Sequence, residues 1–252
     1  MIPSSFLRDL SRGGMVIAAD LNRKAMVFGG GGVTAIGTPG RVYGKYGGGA
    51  SFNGSSVGFA LPSFTMGPGM SFGIRARWTS TTASMTLMDF TQSAGGGVLA
   101  YARVNEGGTG KVNFAGFPPL FNAVSPAGNY NDGLWHTIVC TWGRGGFAIL
   151  HVDGVAVASA SATVPKFFVY DARVGVERWF GADYSWFNGD LADPFICNTI
   201  LTPQDARAYH ALTAEYGGGT ESYGHLVSGQ SNGPAPHFTR RRMGGGFAAG
   251  AL

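Results

Sequence analysis

A chain of 252 residues, 44% of them hydrophobic, is long enough for one large domain with a sizeable core. Only 13% of the residues are charged, about half the usual fraction, so Gly, Ser, Thr and Asn must cover the surface, or partners must. The formal net charge of +4 is small and mostly scattered, with no basic stripe interleaved with aromatics, which argues against nucleic-acid binding.

Glycine is far above its usual ~7%, at 43 residues, yet shows no collagen-like period. It clusters at 29–32, 47–49, 95–97, 217–219 and 244–246, the pattern of a β protein with many turns. At the start, "SSFLRDLSR" fits a short helix capped by Ser4 or Ser5, and "GMVIAADLNRKAMVFG" fits two short strands around a turn at Asn22 and Arg23. Residues 1–35 read as an attachment segment. They lack the apolar core of a secretory signal, and no run of ~18 apolar residues suggests membrane insertion. The expectation is assembly in a host cytoplasm, with any outside role reached by another route, such as lysis and incorporation into a particle.

Residues 36–216 form a series of short β runs split by turns. Among them are "ASFNGSSVGFAL", "MSFGIRARWTS", "SMTLMDF", "WHTIVCTW", "FAILHVDG" and "DLADPFICN". Alternation such as Phe72, Ile74, Ala76 and Trp78 marks half-buried strands, and their spacing predicts a sandwich or barrel. In "GLWHTIVCTWGRGGFAILHVDGVAVASAS", residues 133–161, Trp135 is expected to be buried, with His136 facing the other way. Asp153-Gly154 supplies a positive-φ turn. The Trp-His and Asp-Gly pairs read as scaffold, with a catalytic role for His136 or His151 the lesser alternative. Cys140 and Cys197 sit inside apolar runs and read as buried thiols, one disulfide being the alternative. "LTPQDARAYHALTAEYGGG" predicts a helix with Thr202 as N-cap, Pro203 first, Asp205 completing a capping box, and Gly217 ending it.

That hairpin resembles the central hairpin of laminin-G-like, concanavalin A-like jelly rolls. Three further pieces follow the family's order: "GGASFNGSSVGFALP", "MSFGIRARWTS" and "FNGDLADPFICNTILTPQDARAYHAL". The resemblance spans about 40–215. It implies an all-β antiparallel sandwich, a jelly roll with one short C-terminal helix and extended termini. It also implies calcium or sugar on rim loops. The carboxylates available for a cation are Asp89, Asp132, Asp153, Asp183, Asp190 and Asp193, but no D-x-D-x-D-G loop is present. No cofactor is therefore expected, with calcium the open alternative. Glu106, Glu177, Glu215 and Glu221 form no E-x-D-x-E run, and no nucleophile or phosphate motif occurs, so no enzyme is expected.

The clearest binding signal is "RWFGADYSWFNGD", which packs Trp179, Phe180, Tyr184, Trp186 and Phe187 into one loop-like stretch. Such aromatics stack on sugar rings, anchor protein contacts, or simply fold back onto the core. Residues 217–252 have the composition of an unfolded tail, or of a basic arm that orders on a neighbouring subunit through Arg240, Arg241 and Arg242. Proteins with this resemblance recur on phage particles as decorations, fibres or adhesins. The expected function is therefore a non-enzymatic virion structural protein, homo-oligomeric and bound to other virion proteins, with its sandwich facing host glycans. A free carbohydrate-binding lectin is the alternative.

Overall fold

The computed structural model describes residues 16–20, 25–28, 32–42, 49–66, 69–91, 98–116, 121–126, 128–143, 146–162, 167–169 and 171–214. In chain order the strands are β1 (Val16–Asp20), β2 (Ala25–Phe28), β3 (Thr34–Ile36), β4 (Gly40–Val42), β5 (Gly49–Asn53), β6 (Gly58–Leu61) and β7 (Phe64–Met66). Then come β8 (Gly69–Arg77), β9 (Met85–Thr91), β10 (Val98–Val104), β11 (Val112–Gly116), β12 (Phe121–Val124), β13 (His136–Gly143) and β14 (Phe147–Val152). The last are β15 (Val155–Ser161), β16 (Phe167–Val169), β17 (Asp171–Val174), β18 (Glu177–Trp179), β19 (Ala182–Tyr184) and β20 (Asn188–Cys197), followed by the helix α1 (Pro203–Ala214).

Two antiparallel sheets form the expected sandwich. A nine-stranded sheet runs β15-β14-β13-β8-β20-β1-β2, with β5 also on β20 and β4 on β5. A seven-stranded sheet runs β12-β11-β10-β9-β17-β6-β3. The expected strands on either side of Asn22 and Arg23 are β1 and β2, and β1 joins the large sheet through β20. The run "ASFNGSSVGFAL" is not one strand: β5 and β6 belong to different sheets. The corner is built locally. Asn53 Oδ1 accepts the amides of Ser55 (3.1 Å) and Ser56 (3.0 Å), and Gly54 takes φ +76. This side-chain turn competes with ladder pairing and lets the chain change layers.

Between the sheets lies a core of interleaved rings: Phe72 touches Phe90, Phe114 and Trp142, and Phe52 touches Phe59 and Phe187. On β13 the buried core set is Ile138, Cys140 and Trp142, and on β14 it is Ala148, Leu150 and Val152. The expected placement of Trp135 and His136 is inverted. His136 continues the inward series at even positions, its ring against Trp78. Trp135 lies in the outward series, half-buried beneath the guanidinium groups of Arg75 (4.8 Å) and Arg77 (5.0 Å). Strand alternation decides the matter: Trp142 must be inside, so a residue an odd number of steps away must be outside.

His136 is held at both ring nitrogens, Nδ1 2.8 Å from Asp153 Oδ2 and Nε2 3.1 Å from Asp132 Oδ1. Burial opposes its charge, but the bonds and charges of Asp153, then Asp132, outweigh this and raise its pKa above 6.5. Asp153, at φ +52, also accepts the Thr137 amide (2.9 Å) and donates its own to the Thr137 carbonyl (2.9 Å). Trp-His and Asp-Gly are thus scaffold, with His136 rather than Trp135 bonded to the turn. Cys140 and Cys197 are free and buried; burial pushes the Cys197 thiol up to about 12 and Cys140 well above its usual value. On α1 the capping box forms as expected. Thr202 Oγ1 accepts the Asp205 amide (3.2 Å) and Asp205 Oδ2 accepts the Thr202 amide (2.8 Å). Ala206, Tyr209 and Thr213 form its buried face. Gly217 and the arm lie outside the described residues. No described helix is long and apolar enough to cross a membrane.

Candidate functional site: an aromatic hairpin on the seven-stranded sheet

The stretch read as a loop is a β-hairpin. β18 and β19 pair antiparallel, with Trp179 opposite Ala182, which leaves a two-residue turn of Phe180 and Gly181. Both take positive φ, +46 and +84, the signature of the hairpin turns whose twist matches the flanking strands. Gly181 does so without strain. Phe180 does not: a bulky side chain with left-handed backbone costs of order 1–3 kcal/mol. Asn or Gly would be the local choice, yet the strained tip carries a ring that is 66% exposed.

The hairpin is anchored to the outer face of β9 and β10. The Arg178 amide donates to Asp89 Oδ2 at 3.0 Å. The Thr91 hydroxyl lies 3.2 Å from Asp89 Oδ2 and 3.1 Å from the Arg178 carbonyl. The two oxygens compete for the one Thr91 hydroxyl proton, a competition that a protonated Asp89 donating to Thr91 Oγ1 would remove. Asp89 is fully buried, and burial pushes its carboxyl well above 3.8 despite the Arg178 amide, with Glu177 adding to the rise. Arg103 pairs with Glu177 at 2.5 Å and stacks 3.8 Å from the Tyr101 ring centre. Burial drives the Tyr101 hydroxyl to about 12. Arg178 bonds Asp183 across the hairpin at 2.7 Å, and the Ser185 carbonyl accepts the Thr86 amide at 2.8 Å.

The five aromatics therefore divide. Trp179 is half-buried on Tyr101 and Ala115 and holds Phe180 edge-on at 5.3 Å between ring centres. Tyr184 is 51% exposed, and Trp186 is half-buried. Phe187 is no contact residue: it is 0% exposed, packed between Phe52 and Trp78. After positive φ at Ser185 the chain re-enters the sandwich as β20, which turns Phe187 inward. Asp89, Tyr101 and Arg103 support the hairpin, and no motif in the sequence marks them for that role. Their only signal is polar residues within strands whose alternate positions are apolar. Arg240, Arg241 and Arg242 lie outside the described residues.

Other chemistry is occupied structurally. Asp183, Asp190 and Asp193 pair with Arg178, Arg77 and Arg75, while Asp132 and Asp153 hold His136. Among the described residues no group of three His, Cys, Asp or Glu is placed to hold a metal ion. His151 is fully buried, and burial lowers its pKa, which leaves it neutral and out of reach of a substrate.

A two-layer antiparallel sandwich with aromatics presented on one sheet face defines a lectin-like jelly roll. The sequence matches the concanavalin A-like lectin/glucanases superfamily over residues 52–207, and the chain belongs to that family. Among solved structures it is similar to domain 4 of the GH43 extracellular arabinanase of Geobacillus stearothermophilus, solved with arabinotriose. The TM-score is 0.60 at 16% identity, covering 79% of this chain and 98% of that one. It is also similar to the botulinum neurotoxin serotype G binding domain (TM-score 0.62, 10% identity, 80% of this chain and 51% of that one). The serotype D ligand-binding domain, solved with N-acetylneuraminic acid, gives 0.60 at 10% identity, covering 82% and 52%. The chain thus spans about half the length of these toxin domains, and at such identities the likeness concerns the fold. Curated protein sequences contain no match.

Proposed function

We propose that this chain is a non-enzymatic glycan-contact protein whose binding element is the hairpin of β18 and β19. The observation that carries this reading is Phe180, a large ring held at an exposed tip in a strained backbone conformation. Strain of that kind persists where surrounding structure enforces it, and it clusters at ligand clamps. Phe180 and Tyr184 supply apolar faces for the C–H side of a pyranose, and Trp179 fixes the tip from behind. The relatives solved with arabinotriose and N-acetylneuraminic acid support a saccharide as ligand. A binding role without catalysis is supported by the state of three acids in or beneath the hairpin: Asp89 is sealed beneath it, Glu177 is paired with Arg103 and Asp183 with Arg178.

The setting we propose is the surface of a virus particle, tailed phage being the best fit, with Arg240, Arg241 and Arg242 of the 217–252 arm anchoring to neighbouring virion subunits. The low charge content and the glycine-rich, basic arm support this. A glycan array on the purified full chain should show a saccharide signal that Phe180→Gly and Tyr184→Ala abolish. An unchanged signal in both variants would overturn the hairpin as the contact. A chain lacking 217–252 should be lost from particles, and full occupancy without the arm would refute the anchoring.

A further inference from the structure

One free edge of the nine-stranded sheet is unlike the others. In the two large sheets, β2, β3, β4, β12 and β15 have a strand neighbour on one side only among the described residues. Natural sheets blunt such edges by keeping them short or charged. β3 and β4 have three residues each and β2 and β12 have four, whereas β15 has seven. Residues 154–165, which contain β15, hold no Asp, Glu, Lys, Arg or His.

The outward backbone of β15 follows from one bond. The Ala162 amide donates to the Gly146 carbonyl (3.0 Å), one step beyond the pairing of Ser161 with Phe147. Bonded and non-bonded pairs alternate along an antiparallel ladder. Ala160 and Ala158 therefore bond to Ala148 and Leu150, while Ser159 and Ser161 turn their N–H and C=O groups away from β14. The register slip beside His151 keeps the bulge at the turn end, so 158–161 stays regular. Both serines are exposed. Ala158 and Ala160 pack on the core, with side chains too small to obstruct an approaching strand. β12 of the opposite sheet packs against β15, and the exposed Val124 and Val155 border the edge.

We infer that β15 pairs antiparallel with β15 of a second copy of this chain, about a two-fold axis at Ser159, joining the two nine-stranded sheets into one. In this register Ser159 faces the partner's Ser159, Ser161 the partner's Val157, and Ala158 the partner's Ala160. The outward amides and carbonyls of Ser159 and Ser161 thereby gain backbone partners. The charge pattern favours a second copy as occupant. Two-fold pairing sets each side chain against itself or a near neighbour, so a charge would meet its like. β15 presents none, and so offers an unlike protein no charge to recognise. The hairpin of β18 and β19 stands on the other sheet and stays free, so the dimer presents it twice. The pairing does not depend on the glycan reading of that hairpin.

The test is sedimentation velocity of the full chain over a concentration series. A short strand pair buries less than the ~800 Å² per partner of a standard interface, so Kd should be on the order of 10–100 µM. Ser159→Lys and Ser159→Glu should each weaken association about 10-fold or more by setting like charges across the axis, and an equimolar mixture of the two should associate again. Ser159 is exposed and its amide lies outside the β14 ladder, so both variants should keep the wild-type Tm at low concentration, which checks that they fold. Phe180→Gly should leave association unchanged. A monomer throughout the series, association that Ser159→Lys leaves intact, or a mixture that stays monomeric would each overturn the pairing without touching the hairpin.

Discussion

Phe187 and Phe180 stand seven residues apart in one aromatic stretch, and the structure assigns them opposite consequences on truncation. Phe187 is fully buried and packs edge-on against Phe52 at 6.0 Å and Trp78 at 6.4 Å. Removing such a ring from a close-packed core costs about 3–5 kcal/mol for the lost transfer energy plus the cavity. At about 2–4 °C per kcal/mol for a domain of this size, Phe187→Ala should lower Tm by roughly 6–20 °C. Phe180→Gly differs. About a third of a ~200 Å² ring is covered, worth ~1.7 kcal/mol at ~25 cal/mol per Å². Release of left-handed strain returns about 1–2 kcal/mol, so the net change is within about 1 kcal/mol and Tm moves by a few degrees. Thermal unfolding by circular dichroism, with both variants and wild type in one buffer, measures this. If Phe180→Gly were as destabilising as Phe187→Ala, the tip would be structural and the argument from exposed strain would fail.

Two titrations give further expectations. Asp89 has a folded pKa raised above 3.8, so its protonated form favours the fold. That contribution is complete below about pH 4 and declines as pH rises. Asp89→Asn, which cannot ionise, should therefore gain stability relative to wild type as pH rises above about 4; a difference in Tm that stays constant with pH would show that Asp89 is ionised throughout. For His136 the folded pKa is raised above 6.5, so its stabilisation is present below pH 6.5 and is lost as pH rises through the folded value. Asp153→Asn should move the His136 ring titration, followed by NMR, to lower pH. No movement would mean that Asp153 is not its principal charge partner.

Capping of α1 depends on Thr202, Pro203 and Asp205 alone, and the Asp153-Gly154 turn on two adjacent residues, so neither needed the rest of the chain. Strand periodicity and four ordered motifs were enough for an antiparallel sandwich, because alternation encodes one buried face per strand. Alternation does not say which aromatic at a strand end is inside. Its size favours Trp135 for the core, yet the register of β13 on β8 puts it under Arg75 and Arg77. The split of residues 49–61 between two sheets, and the burial of Phe187 beside the exposure of Phe180, also depend on pairings many residues away. The Arg77–Asp190 pair likewise joins residues 113 positions apart. Composition and period thus determined the architecture and the local caps, since those interactions act between near neighbours. Only tertiary structure decided which polar groups are sealed and which are presented, because burial is a property of the assembled layers.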